Sequence, residues 1–306
     1  MKRNFFLIVF AAVLLVSCGQ SEEEARRISK AERARLHRED SLALKIAVMP
    51  TLDCLPFYVA QDRGFFAEAN ADIRLRVFSA QMDCDTAFIG GSVEMMLTDS
   101  VRAARLAGQG RAVEVVSPTD SQWMLVGNRQ ARVKKLAQLG EKMVAMTRFS
   151  ATDMMTDKAF VKVSPKPFKI QVNDIRVRLD MLLNNELDAA WLPEPLATVA
   201  VKQGHTALAD SRKLIGRGGL IVMRGELKDD AHRKQQLVAM EKAYNRACDS
   251  ISHFGLEHYA DIIASCMDIG PDMVKNIPKQ QFRPIGKPMQ EPLPAKVTVV
   301  ASGKEK

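Results

Sequence analysis

The feature that most limits what this chain can become is residues 45–66, KIAVMPTLDCLPFYVAQDRGFF. It holds an apolar run with the length of a buried strand, a turn carrying Asp53 and Cys54, and an amphipathic segment opening at Pro56. Proline suits a first helical position, where its missing N–H is no loss, so residues 57–66 read as a helix. A second strand pattern follows at 73–78, and the Asp53-Cys54 pair recurs at Asp83-Cys84, about one βαβ unit later. Neighbouring parallel strands lie about 4.8 Å apart, so the two Asp-Cys corners are expected side by side at the carboxyl edge of a sheet. That edge is where open α/β proteins hold ligands.

The alternation continues along the chain. Strand patterns at 93–97, 112–116, 123–126, 142–146, 169–172, 189–192 and 216–223 alternate with helical ones at 86–89, 100–106, 134–139, 151–160 and 174–184. Asp99 and Ser150 stand where helix caps are expected, and Ser150 to Asp153 has the spacing of a capping box. From 227 onward the pattern is helical, with a pair at 237–251 and 256–266 and a short piece at 271–277. The fold class is therefore α/β: two doubly wound lobes with parallel sheets, helices on both faces and a ligand cleft between them. The expected division is 1–17 signal peptide, 18–43 charged tether, 44–127 first part of lobe 1, 128–212 lobe 2, 213–278 return to lobe 1, and 279–306 a surface or disordered tail.

Lys2 and Arg3 precede an unbroken apolar run from Phe5 to Val16, too short to span a bilayer comfortably but suited to a secretory signal. Leu15-Val16-Ser17-Cys18 resembles the lipobox of bacterial lipoproteins. That resemblance implies that Cys18 carries lipid, palmitate included, and anchors the chain to a membrane of the bacterial cell envelope, facing the periplasm. Residues 20–41 are dense in Glu and Arg with no apolar face to bury; they can turn helical but read as a solvated tether. The net charge of +8 is spread over mixed-sign segments without interleaved aromatics, which argues against nucleic acid as a partner.

Pro56-Phe-Tyr-Val-Ala60 with Arg63-Gly-Phe-Phe66, Gly90-Gly-Ser-Val93, Leu97-Thr-Asp99, and Asp188-Ala-Ala-Trp191 leading to Glu194-Pro195 fall in one order. In this the chain resembles the type II periplasmic substrate-binding proteins of ATP-driven importers. The group is the one that binds nitrate, taurine, alkanesulfonates and the thiamine pyrimidine precursor. The resemblance implies lobes joined by crossings near 127–132 and 210–219. They would close as a monomer on a small solute and dock on an ABC permease with its ATPase. No cofactor and no metal are expected.

If residues just past the strands face the cleft, the ligand-binding candidates are Asp53, Phe57, Gln81, Asp83, Asp99, Trp123, Arg148, Ser150, Thr152, Asn173 and Glu194. Thr51, Asp85, Thr98, Thr119, Asp120, Gln122 and Asp174 share that edge. Carboxylates outnumber the one arginine, which favours a cationic or neutral hydrogen-bonding ligand over a simple anion. A ring would be sandwiched by Phe57, Tyr58, Trp123 or Trp191. The competing reading is structural: Asp53, Asp85, Asp99 and Asp153 as helix caps, Phe57 and Trp191 as core. The helix start at Ser150 beside Arg148 suits one anionic group.

Cys54, Cys84, Cys248 and Cys266 make an even count in an oxidising compartment. Strand spacing falls inside the reach of a Cys54–Cys84 disulfide; the alternative is two free thiols that, with Met82, hold a soft metal. Cys248 and Cys266 lie on the helical pair and form the second candidate bond. The enzyme-like branch of the resembled family carries a cysteine-rich motif and an active-site histidine. This chain has no histidine between residues 38 and 204, so no catalysis is expected. A surface scavenging lipoprotein without a permease is the remaining alternative.

Overall fold

The computed structural model describes residues 22–286, so the signal segment, Cys18 and residues 287–306 of the expected tail lie outside the described residues. The chain forms two units. The first contains one long helix, α1 (Glu22–Leu42), whose residues 29–42 are exposed apart from half-buried Asp40. With no apolar face, it draws on local pairs such as Arg35–Glu39, an i,i+4 contact at 3.6 Å. Among the described residues no helix is long and apolar enough to cross a membrane.

The second unit holds two five-stranded sheets. In chain order its elements are β1 (Leu44–Val48), α2 (Leu55–Asp62), α3 (Phe65–Glu68), β2 (Ile73–Val77), α4 (Gln81–Gly90), β3 (Met95–Asp99), α5 (Ser100–Gly108), β4 (Val113–Thr119) and β5 (Trp123–Gly127). Then come β6 (Met143–Met146), α6 (Ala151–Ala159), β7 (Phe168–Gln171), α7 (Ile175–Leu183), β8 (Ala189–Pro193), α8 (Leu196–Lys202), β9 (Thr206–Asp210), α9 (Ser211–Ile215), β10 (Gly219–Arg224), α10 (Ala231–Phe254) and α11 (Ala260–Met267). The first sheet runs β2-β1-β3-β10-β4 and the second β7-β6-β8-β5-β9. The helical patch read at 134–139 is a short 3-10 turn, Leu136–Leu139.

Both sheets are mixed rather than parallel. β10 is antiparallel to β3 and β4, and β5 is antiparallel to β8 and β9. The reason lies in the crossings. Residues 120–122 and 211–218 link the sheets, and neither link has room for the long connection that a parallel entry requires. Each crossing strand therefore starts at the boundary between the lobes and runs away from it. The first crossing accordingly precedes β5, not residues 127–132 as the resemblance implied, because 123–127 already pairs in the second sheet. The remaining strands of both sheets end at the shared boundary, so their carboxyl ends face one another.

Two further expectations are corrected. The tail does not leave the body at 279: Phe282 and Ile285 are buried, and Asn245 of α10 exchanges hydrogen bonds with the Ile285 backbone at 2.7 and 3.1 Å. The cysteines at 54, 84, 248 and 266 are free. β1 and β2 do pair directly, but the turns and helices beyond the strands do not inherit strand spacing. Packed helices stand about 8–10 Å apart, and Cys84 lies one turn inside α4 while Cys54 precedes α2. The Cys54 Sγ instead accepts from the Met49 N–H and meets Thr51 Oγ1, both at 3.4 Å.

Burial pushes the Cys54 thiol well above its ordinary pKa and those of Cys84 and Cys248 to about 12, whereas Cys266 is half-buried. Thiol reactivity follows thiolate content and access. Iodoacetamide on the native chain should modify Cys266 first, and after unfolding without reductant all four should alkylate. A crosslinked Cys54–Cys84 peptide in a non-reducing map would contradict this arrangement.

Candidate functional site

The facing strand ends enclose a cavity of about 60 Å³, room for several waters and so for a small polar solute. The lobes meet around it. Leu52 N–H donates to the Glu194 carbonyl at 2.9 Å, Ile175 N–H to Ser79 O at 3.1 Å, and Arg102 Nη1 to Arg148 O at 3.4 Å. Ser79 Oγ also donates to the Asp174 carboxylate. The cleft is shut.

From the first lobe, the turn after β1 supplies Asp53. Its carboxylate accepts from Thr51 Oγ1 at 2.7 Å, from Thr119 Oγ1 at 3.2 Å, and from Ser121 Oγ. Gly219 lies directly beneath those hydroxyls; a Cβ there would collide with Thr119 Oγ1 and Ser121 Oγ, so the bare backbone makes room for the cluster. Asp99, at the end of β3, caps α5 by accepting from the Val101 and Arg102 N–H groups at 3.0 Å. Burial raises its pKa to about 6, against the opposing pull of the Arg102 N–H, the Arg102 charge and the Ala151 N–H. Ala151 begins α6 in the other lobe, so Asp99 faces the helix start across the cleft.

From the second lobe, Glu194 follows β8. Its Oε2 accepts from Thr198 N–H at 3.1 Å and Thr198 Oγ1 at 2.8 Å, and burial raises its pKa. Thr147, Ser150 and Thr152 form a hydroxyl cluster at the end of β6, with Ser150 capping α6. Arg178 of α7 is buried beside it. Its guanidinium donates to Val172 O at 3.0 Å, Trp191 O at 2.7 Å and Thr147 Oγ1 at 2.6 Å. Among the described residues no acid pairs with it directly, and burial lowers its pKa to about 10.

Asp53, Gln81, Asp99, Trp123, Ser150, Thr152, Asn173 and Glu194 all line this cavity. Phe57, Asp83 and Arg148 do not. Phe57 is fully buried against Tyr244, ring centroids 4.7 Å apart; Asp83 and Arg148 are exposed. Trp191 is likewise core, its indole N–H bound to Thr156 Oγ1 at 3.0 Å. Arg178, Thr147, Ser121 and Gln280 line the cavity without having been anticipated. Arg178 left a signal: it occupies the stripe of Ile175, Leu179 and Leu182, where an arginine marks a buried charge. Gln280 left none, since it lies past the last periodic segment. Among the described residues no group of three or more His, Cys, Asp or Glu is placed to hold a metal.

Asp99 carries a pH signature with a defined sign. A carboxyl whose folded pKa exceeds its unfolded value of about 3.9 favours the fold most at low pH, and that contribution is lost as pH rises through about 6. Asp99→Asn keeps the cap and removes the titration. The variant should match or exceed the wild type in stability at pH 7, by on the order of 2 kcal/mol, with a flatter pH–stability curve between about 4 and 6. Urea unfolding across that range checks it. Gly219→Ala should destabilise by about 1–3 kcal/mol through overpacking of the Asp53 cluster, read from the same unfolding curves.

Comparison with known proteins agrees with this architecture. Residues 51–217, more than half of the chain, match the model of the family described as NMT1/THI5 like. No curated protein sequence matches the chain. Among solved structures, the ligand-binding component of an ABC-type import system from Staphylococcus aureus, with zinc bound, superposes with a TM-score of 0.65 at 14% identity, covering 80% of this chain and 86% of that one. The periplasmic nitrate-binding protein NrtA from Synechocystis gives 0.63 at 15%, covering 78% and 71%. The aliphatic sulphonate binding protein SsuA from Escherichia coli gives 0.61 at 15%, covering 76% and 81%. At these identities the likeness is one of fold. The chain belongs to the NMT1/THI5-like family and has the two-lobed fold of the periplasmic binding proteins of ABC importers.

Proposed function

We propose that this protein is an extracytoplasmic solute-binding component of an ABC importer, held to the envelope by lipid on Cys18. It captures a small neutral or cationic polar compound between its lobes and passes it to a permease. The observation that carries the ligand class is the balance of charge in the cavity. Asp53, Asp99 and Glu194 line it against one arginine, and the Arg178 guanidinium is already engaged with two carbonyls and a hydroxyl.

An anion of the kind named for NrtA or SsuA would meet desolvated carboxylates. The seat that helix N-termini offer to anions is faced here by Asp99, whose ionised form the Ala151 N–H already favours. A ligand N–H or ammonium instead relieves the desolvation that raises the pKa values of Asp99 and Glu194. The fold neighbours named above are binding proteins. Delivery to a permease rests on the family and on the lipobox-like Leu15-Val16-Ser17-Cys18.

The test is ligand-dependent melting against pyrimidines, small amines, sulfonates and nitrate. A closing ligand at a hundredfold excess over its Kd should add about 2.7 kcal/mol of stability. Neutral or cationic members should raise Tm, and Glu194→Gln should weaken their binding about tenfold by replacing a charged hydrogen bond with a neutral one. Stabilisation by nitrate or a sulfonate alone would overturn the ligand class, and silence across the panel would remove solute capture.

A further inference from the structure

The last described segment of the chain returns over both crossings. Gln281 N–H donates to Asp120 Oδ2 at 3.1 Å, and Gln281 Oε1 accepts from Arg217 Nη2 at 2.9 Å. Asp120 lies in the first crossing and Arg217 in the second. Downstream, buried Phe282 and the paired Asn245–Ile285 hold the segment against the body. With its neighbour anchored in this way, Gln280 lines the cavity. Both its Oε1 and its Nε2 are buried without a hydrogen-bond partner. Thr98 Oγ1, on a residue only 5% exposed that lines the same cavity, is also unpartnered.

Buried polar groups are nearly always satisfied, and an orphaned amide costs the full desolvation of a donor and an acceptor. A carboxamide presents those two groups side by side, in either of its flipped orientations. Its complement is a compound with an N–H next to a carbonyl oxygen or a ring nitrogen. A nitrate, sulfonate or carboxylate offers acceptors alone and leaves Gln280 Oε1 unpaired. A simple ammonium offers donors alone and leaves Nε2 unpaired.

The geometry points to Gln280 as a specificity-determining residue that reads the adjacent donor–acceptor edge of a neutral ligand, such as a primary carboxamide, a lactam or an amino-substituted nitrogen heterocycle. Thr98 Oγ1 supplies a further contact, and the carboxylates accept from remaining N–H groups. This assignment rests on the solute-binding reading and narrows it to one class. It also gives the docked segment a function. The side chain that inspects the ligand belongs to the segment that ties the crossings together.

The experiment measures binding of cytosine, nicotinamide, N,N-dimethylnicotinamide, choline and taurine by calorimetry and thermal shift, to the full chain and to Gln280→Met and Gln280→Glu. Methionine keeps the bulk and removes the amide; glutamate keeps an acceptor and removes the donor. Ligand-free melting confirms that each variant folds, and a variant that does not fold leaves the other, with the dimethyl comparison, to decide. Cytosine or nicotinamide should bind the wild type, nicotinamide at least about tenfold more tightly than its dimethyl derivative, and Gln280→Met should lose about tenfold for cytosine and nicotinamide and little for the derivative. Equal binding of parent and derivative, or an unchanged affinity in Gln280→Met, overturns the assignment. Binding of choline or taurine without cytosine or nicotinamide overturns it while leaving solute capture standing. No binding of any probe overturns both.

Discussion

The cleft depends on one buried carboxylate. Asp120 sits in the short first crossing and is 7% exposed. Its Oδ2 accepts from Arg212 Nη2 at 3.0 Å and from the Gln281 N–H, and its Oδ1 lies 3.4 Å from Arg217 Nε. Arg212 and Arg217 belong to the return crossing, so a single side chain ties both links and the end of the described chain. A buried charge that lost these partners would be strongly destabilising. The crossings set everything downstream: because they are short, β5 and β10 enter antiparallel, and because the other strands end at the same boundary, their carboxyl-end turns converge on one cavity. Gln281 extends the knot to the residue beside it in the cavity.

Within that frame the polar groups divide into two kinds. Arg178, Thr147 and Ser150 satisfy one another and the ends of β6, β7 and β8, which stiffens the second lobe's wall. Asp99 and Glu194, by contrast, keep raised pKa values despite their hydrogen bonds, and Gln280 and Thr98 keep orphaned atoms. Groups of the second kind are buried without full compensation, and a ligand that satisfied them would offset that cost. Across the cleft the lobes are joined by contacts that include Leu52 to Glu194, Ser79 to Asp174 and Arg102 to Arg148.

Much of this is legible from residues alone. The alternation of strand and helix fixes two α/β lobes, and Asp99 and Ser150 sit at helix caps, as their spacing implies. Residues just past the parallel strands converge on the cavity because a strand's carboxyl end is set by its direction. Direction is also where the residues mislead, since an apolar run looks the same whichever way it runs, and β5 and β10 read as parallel. Phe57 misleads because a buried aromatic and a ligand-stacking one share the same helical position; only packing on Tyr244 separates them. The expected Cys54–Cys84 bond fails because strand spacing says nothing of the turns beyond. Gln280 carries no periodic signal, and its placement depends on tertiary anchoring by Asp120 and Asn245.

The most direct measurement is native mass spectrometry of the protein purified from cells, with denaturation and identification of the small molecule released. The released compound should be neutral or singly cationic, not an inorganic anion, lost in the absence of closure and retained through mild desalting. Release of nitrate or a sulfonate, or a chain that leaves cells with nothing bound and takes up nothing, would contradict this.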